Sequence, residues 1–170
     1  RYMSEGKWQE MTPHAKTEFR TDCDLQLAQG GKPFTTSLYY IQVHYHETGT
    51  AGKLWTYGGP DDGKVLAEFG VEPAGKVLSQ PIPITEAKGL SWSCSYNNPT
   101  DDELIWADDD YKQEMCFWFG FIDGDKAYAA EVKDGDNMAA GMDGDTLLNS
   151  GTCNVAAVGW KDKPGGEPPK

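Results

Sequence analysis

Two of the three histidines in this chain stand two residues apart, at His44 and His46. On a β-strand such residues share a face, with Cβ atoms ~7 Å apart, so two imidazoles can converge on one metal ion from a rigid platform. The plain alternative is a pair of surface histidines on a strand. Met115 is the next candidate donor, joined directly to Cys116. Methionine ordinarily fills gaps in a core. A crosslink at the following cysteine would, however, fix the backbone beneath the thioether, which a weak, soft ligand needs. Two imidazoles and a thioether favour one copper ion over zinc, calcium or magnesium, because sulfur prefers Cu(I). Three protein ligands leave a position open for an exogenous fourth.

Other motifs carry less. Asp-Gly-Asp occurs at Asp123, Asp134 and Asp143. The stretch beginning Asp134-Gly135-Asp136 lacks the glycine and glutamate that a calcium-binding EF-hand loop requires at its sixth and twelfth positions. Asp-Gly is also a turn dipeptide, so turns are expected at all three places. The Asp108-Asp109-Asp110 run reads as a solvated loop. There is no Gly-x-Ser-x-Gly, no phosphate loop and no Ser-His-Asp order. With 27 acidic residues, a glycosidase carboxylate pair has too many candidates to single one out. The six tryptophans and eight tyrosines could line a carbohydrate platform, but in an antiparallel sandwich most are expected in the core.

The elements that must hold these residues are strands. Residues 34–46 alternate: Tyr39, Ile41, Val43 and Tyr45 are expected on one face, and Leu38, Tyr40, Gln42, His44 and His46 on the other. Leu90, Trp92, Cys94 and Tyr96 alternate with Ser91, Ser93, Ser95 and Asn97 in a second strand, stopped by Asn98-Pro99. Leu54 to Tyr57 and Val65 to Val71 are short strand candidates. Residues 73–89, with three prolines, read as loop with a short edge strand. Residues 99–112 form an acidic loop, Glu114 to Ile122 an aromatic-rich strand, and Thr152 to Trp160 a last strand. Many short strands at turn-marked intervals, without an amphipathic helix, indicate an all-β fold: an antiparallel β-sandwich, jelly-roll-like.

Composition narrows the setting. The chain has 170 residues, one domain's worth, and a formal net charge of −12. It has no basic track for nucleic-acid phosphates and no apolar run long enough to span a bilayer. Cys23, Cys94, Cys116 and Cys153 are even in number and lack a CxxC spacing. Two disulfides fit that pattern better than a zinc site or four buried thiols, and they imply a secreted, periplasmic or cell-surface protein. The first residue is Arg1 rather than Met, as expected of a processed chain.

Taken together, the residues resemble the C-terminal domain of the copper type II, ascorbate-dependent monooxygenases, the family of peptidylglycine α-hydroxylating and dopamine β-monooxygenases. Three stretches carry the likeness: Val43-His44-Tyr45-His46-Glu47-Thr48-Gly49, similar to a His-x-His-x-x-Gly strand; Cys94-Ser95-Tyr96-Asn97-Asn98; and Glu114-Met115-Cys116. The likeness covers residues 20–160, leaving 1–19 as an N-terminal extension and 161–170 as a disordered tail of Pro, Gly and Lys. It implies His44, His46 and Met115 as ligands of the copper at which oxygen binds and substrate is hydroxylated. It also implies the disulfides Cys94–Cys116 and Cys23–Cys153, the second tying the ends of the domain together.

The departures from the family matter as much. Family enzymes have a second domain whose three histidines hold an electron-transfer copper. Here only His14 lies outside the His-x-His pair. The expected function is therefore a copper-binding half, inactive alone and needing an N-terminal copper domain or a separate redox partner, with a small-molecule or peptide substrate. The alternative is an extracellular, metal-free β-sandwich used for ligand binding or adhesion. A weaker third reading is a calcium-stabilised carbohydrate-binding module.

Overall fold

The computed structural model describes residues 11–71, 75–106, 113–124, 126–132 and 138–159. The expected tail at 161–170, the run Asp108 to Asp110 and the turn at Asp134 lie outside the described residues.

Among the described residues twelve strands follow in chain order: β1 (Lys16–Asp24), β2 (Phe34–His44), β3 (Gly49–Tyr57) and β4 (Val65–Phe69) come first. β5 (Lys76–Ala87), β6 (Gly89–Asn97), β7 (Ile105–Trp106) and β8 (Gln113–Glu114) succeed them. β9 (Phe117–Ile122), β10 (Lys126–Val132), β11 (Met138–Asp143) and β12 (Thr146–Gly159) complete the set. The larger sheet runs β10-β12-β1-β6-β3-β4, with β11 also paired to β12; the smaller runs β5-β2-β9. Pairing is antiparallel except β1 with β12 and the short β7 with β8. The fold is thus the expected β-sandwich. Among the described residues no helix is long and apolar enough to cross a membrane.

Alternation builds the core. Phe19, Leu54, Cys94 and Tyr96 from the larger sheet meet Leu38, Ile41 and Val43 from the smaller one. Phe69 of β4 packs edge-on against Trp118 of β9, ring centroids 5.8 Å apart, which joins the two layers. Met11 is also buried, and its backbone N–H and carbonyl both bond Leu104. Ordered structure therefore reaches further toward the N-terminus than the expected boundary at residue 20.

The face expected for Tyr39 is wrong. Ile41, Val43 and Tyr45 are buried as predicted, but Tyr39 is 40% exposed and Leu38 takes the inner position. Against both β5 and β9 the register of β2 shifts between Leu38 and Tyr40. One extra residue in a bulge reverses which side chains face the core.

Two elements exceed the expected extent. Residues expected as mostly loop form β5, an edge strand of the smaller sheet. An edge position accommodates Pro81 and Pro83, which cannot donate to a ladder. β12 begins at Thr146 rather than Thr152. The aromatic-rich strand is interrupted: Met115 and Cys116 lie between β8 and β9, in neither. Of the Asp-Gly-Asp motifs, Asp143-Gly144-Asp145 turns between β11 and β12, with Gly144 at a left-handed φ of 58°.

Both expected disulfides are present. Cys23–Cys153 joins β1 to β12, and Cys94–Cys116 joins β6 to the segment before β9, with Cα separations of 5.2 and 5.9 Å. All four cysteines are paired, which fits an oxidising environment.

Candidate metal centre

β2 leaves its sheet at His44, and the chain turns through residues 45–48 into β3. Tyr45 sets the sidedness of this exit. It is buried, its hydroxyl donates to the Gly70 carbonyl, and its ring meets Tyr96 edge-on at 6.5 Å. A Cβ at Gly49 would fall inside the Tyr45 ring, so glycine there is what lets the ring lie against the turn. With Tyr45 anchored inward, alternation sends His44 and His46 outward. His44 is exposed, His46 is half-buried, and their ring centroids are 5.3 Å apart at 77°. With a metal–nitrogen bond of about 2 Å and a ring nitrogen ~1.1 Å from its centroid, two imidazoles sharing an ion have centroids roughly 5–6 Å apart at tetrahedral to trigonal angles. The observed spacing falls in that range.

The segment before β9 runs beside the turn after β2. β2 and β9 pair Gln42 with Phe119, Val43 with Trp118 and His44 with Phe117. The ladder ends at that pair, and Met115 lies two residues before Phe117; Glu114, just before Met115, reaches the His46 backbone N–H at 2.8 Å. Met115 is itself half-buried.

Three contacts hold that segment. Glu114, only 1% exposed, accepts hydrogen bonds at Oε2 from the backbone N–H of His46 (2.8 Å) and at Oε1 from the backbone N–H (2.7 Å) and hydroxyl (2.6 Å) of Thr48. A buried carboxylate is tolerable only when such donors replace water. The Tyr96 hydroxyl donates to the Met115 carbonyl at 2.6 Å. Cys116 is bonded to Cys94. Met115 is thus flanked by a hydrogen-bonded residue before it and a crosslinked one after it, with its own carbonyl held. Burial, then the nearby Glu114 carboxylate and then Tyr45, push the Tyr96 phenol well above its ordinary pKa, so it remains a donor. Burial raises that of Tyr45.

Among the described residues no three His, Cys, Asp or Glu side chains are grouped to hold a metal ion. A donor set of two imidazoles and one thioether is of a different kind. The third histidine, His14, bonds Asp101 at 2.8 Å. Sequence reasoning missed Glu114, Thr48 and Tyr96 as supports of the site. Glu114 was in view only as a motif residue, and Tyr96 only as one apolar position in an alternating strand. No protein-family model matches the chain, and no curated protein is significantly similar to it.

Proposed function

We propose that this domain binds one copper ion through His44, His46 and Met115, and serves as the oxygen-binding, substrate-hydroxylating half of a copper monooxygenase system. The observation that carries the reading is the pair of outward imidazoles with centroids 5.3 Å apart, beside a Met115 segment whose preceding residue, Glu114, accepts from the His46 backbone N–H. The three motifs that resemble the ascorbate-dependent family support it. Copper, when bound, supplies one-electron redox chemistry. The chain's own part is to present two imidazoles from the end of β2 and a thioether from a braced segment. An N-terminal copper domain or a separate redox partner provides the second electron, and the substrate is a small molecule or peptide. The setting is outside the reducing cytosol, in keeping with two disulfides.

Competitive Cu(I) and Cu(II) titration of the wild type, His46→Ala and Met115→Leu tests this. His46→Ala should lose most of the affinity, because one imidazole and a thioether make a poor site. Met115→Leu conserves volume, so the fold should survive. It should weaken Cu(I) more than Cu(II), since the soft donor favours the reduced ion. Equal affinities in all three proteins would leave the domain a metal-free sandwich for ligand binding or adhesion.

A further inference from the structure

The outer face of the larger sheet carries a second concavity, on the opposite side of the sandwich from His44 and His46. Its floor is β6, through Ser93 and Ser95; Ser91, on the same strand face, is fully buried and does not line it. Register places longer side chains on both flanks: Glu18 and Arg20 of β1 on one side, and Lys53 and Trp55 of β3 on the other. A central strand with short outward residues between two strands with long ones is a trough. Its volume is about 720 Å³, within the range of small-ligand sites. Strand stability by itself would favour β-branched or aromatic residues at such positions.

The polar groups of the trough are already organised. Ser95 donates to Glu18 at 3.1 Å. Lys53 pairs with Glu68 at 3.2 Å. Arg20 pairs with Asp22 at 3.2 Å and reaches across the serines to lie over the Trp55 ring, 4.8 Å from its centroid. Donors and acceptors therefore alternate over a short distance beside one aromatic face. The charges argue against an ionic ligand. Acids outnumber Arg20 and Lys53 here, the whole chain is at −12, and the paired acids already have partners.

We propose that this trough binds a neutral oligosaccharide. Vicinal hydroxyls on a pyranose present a donor and an acceptor together, which suits a hydroxyl beside a carboxylate, as in Ser95–Glu18. The apolar C–H face of the ring suits Trp55, at the position Arg20 occupies in the free protein. Arg20 keeps Asp22 as its partner when it yields that face.

The test is amide and indole NMR of the isotope-labelled full chain, titrated to millimolar with neutral hexasaccharides of β-1,4-glucose, β-1,4-xylose, β-1,4-mannose and α-1,4-glucose, with hexagalacturonate as the anionic comparison. At least one neutral hexasaccharide should shift the Trp55 indole and Ser93 amide resonances. Trp55→Ala should weaken its binding at least about tenfold. Ser93→Tyr, which fills the floor while suiting a strand, should do the same with an unchanged melting temperature. The proposal is overturned if no neutral hexasaccharide moves those resonances, if binding is unchanged in either folded variant, or if hexagalacturonate binds in preference.

Discussion

Glu114→Gln isolates the brace beneath the proposed copper ligands. The side chain keeps its volume, but one of its two terminal atoms becomes an NH₂. Wild-type Oε2 receives the His46 N–H, and Oε1 receives both the N–H and the hydroxyl of Thr48. The amide keeps most by turning its oxygen toward Thr48, which sets a donor against the His46 N–H. Orphaning one buried donor costs about 1–3 kcal/mol, and exchanging charge-assisted for neutral bonds at Thr48 costs about 1 more. Relief from desolvating a carboxylate offsets part of this, leaving a loss of about 2 kcal/mol. For a chain of this length that is a fall in melting temperature of roughly 4–8 °C. The assay is thermal or urea unfolding with the disulfides intact, with Thr48→Val and the double variant completing a cycle. Thr48→Val should cost about 1 kcal/mol, and the two losses should not add, because both remove the hydroxyl–carboxylate bond. Cu(I) affinity should fall in Glu114→Gln as well, because the His46 backbone loses its partner. Stability within about 0.5 kcal/mol of wild type would refute the reasoning, since surface substitutions fall in that range.

Removing the Cys94–Cys116 bond by double substitution to alanine should cost about 3 kcal/mol by denaturant unfolding, the loop-closure value for a span of this size. It should also weaken Cu(I) binding, measured by the same competitive titration. Alkaline pH should destabilise the protein through Tyr96. Its folded pKa is raised, so its contribution is full below the unfolded value of ~10 and is lost as pH rises beyond it. Unfolding followed from neutral to alkaline pH should show a shallower decline in Tyr96→Phe. The chain by itself should not sustain ascorbate-dependent hydroxylation of a glycine-extended peptide or a phenethylamine, because a second copper needs ligands that His14 cannot supply; sustained turnover by the isolated chain would contradict this.

Much of the fold was legible because burial imposes a period of two. β2 and β6 are marked by alternation, and β6 ends where Asn98-Pro99 follows, whereas β1 was not read as a strand. The bulge in β2 was not, because Leu38, Tyr39 and Tyr40 are all residues that either face accepts, so the hydrophobic pattern does not register the slip. β5 was underestimated for a related reason. Proline disfavours a central strand, and only the sheet order makes this one an edge. Alternation marks the serines of β6 only as one face of a strand. Their role as a floor depends on the heights of the residues beside them, which come from β1 and β3.

The candidate site was legible as residue types and opaque as geometry. That His44 and His46 share a face follows from local spacing, but the approach of the Glu114 segment to the His46 backbone couples segments far apart in the chain. The supports are non-local in the same way: a glutamate at the end of β8 satisfied by backbone from the turn after β2, and a tyrosine on β6 reaching the Met115 carbonyl. One consequence concerns the two layers. The histidines extend from β2 of the smaller sheet. Met115 is tied through Tyr96 and the Cys94–Cys116 bond to β6 of the larger. Cys23–Cys153 joins neighbouring strands within the larger sheet and has no such reach. The Met115 segment is therefore held from both layers, by Glu114 and the β2–β9 ladder to the smaller sheet and by Tyr96 and Cys94–Cys116 to the larger, and Cys94–Cys116 is the covalent tie to the larger.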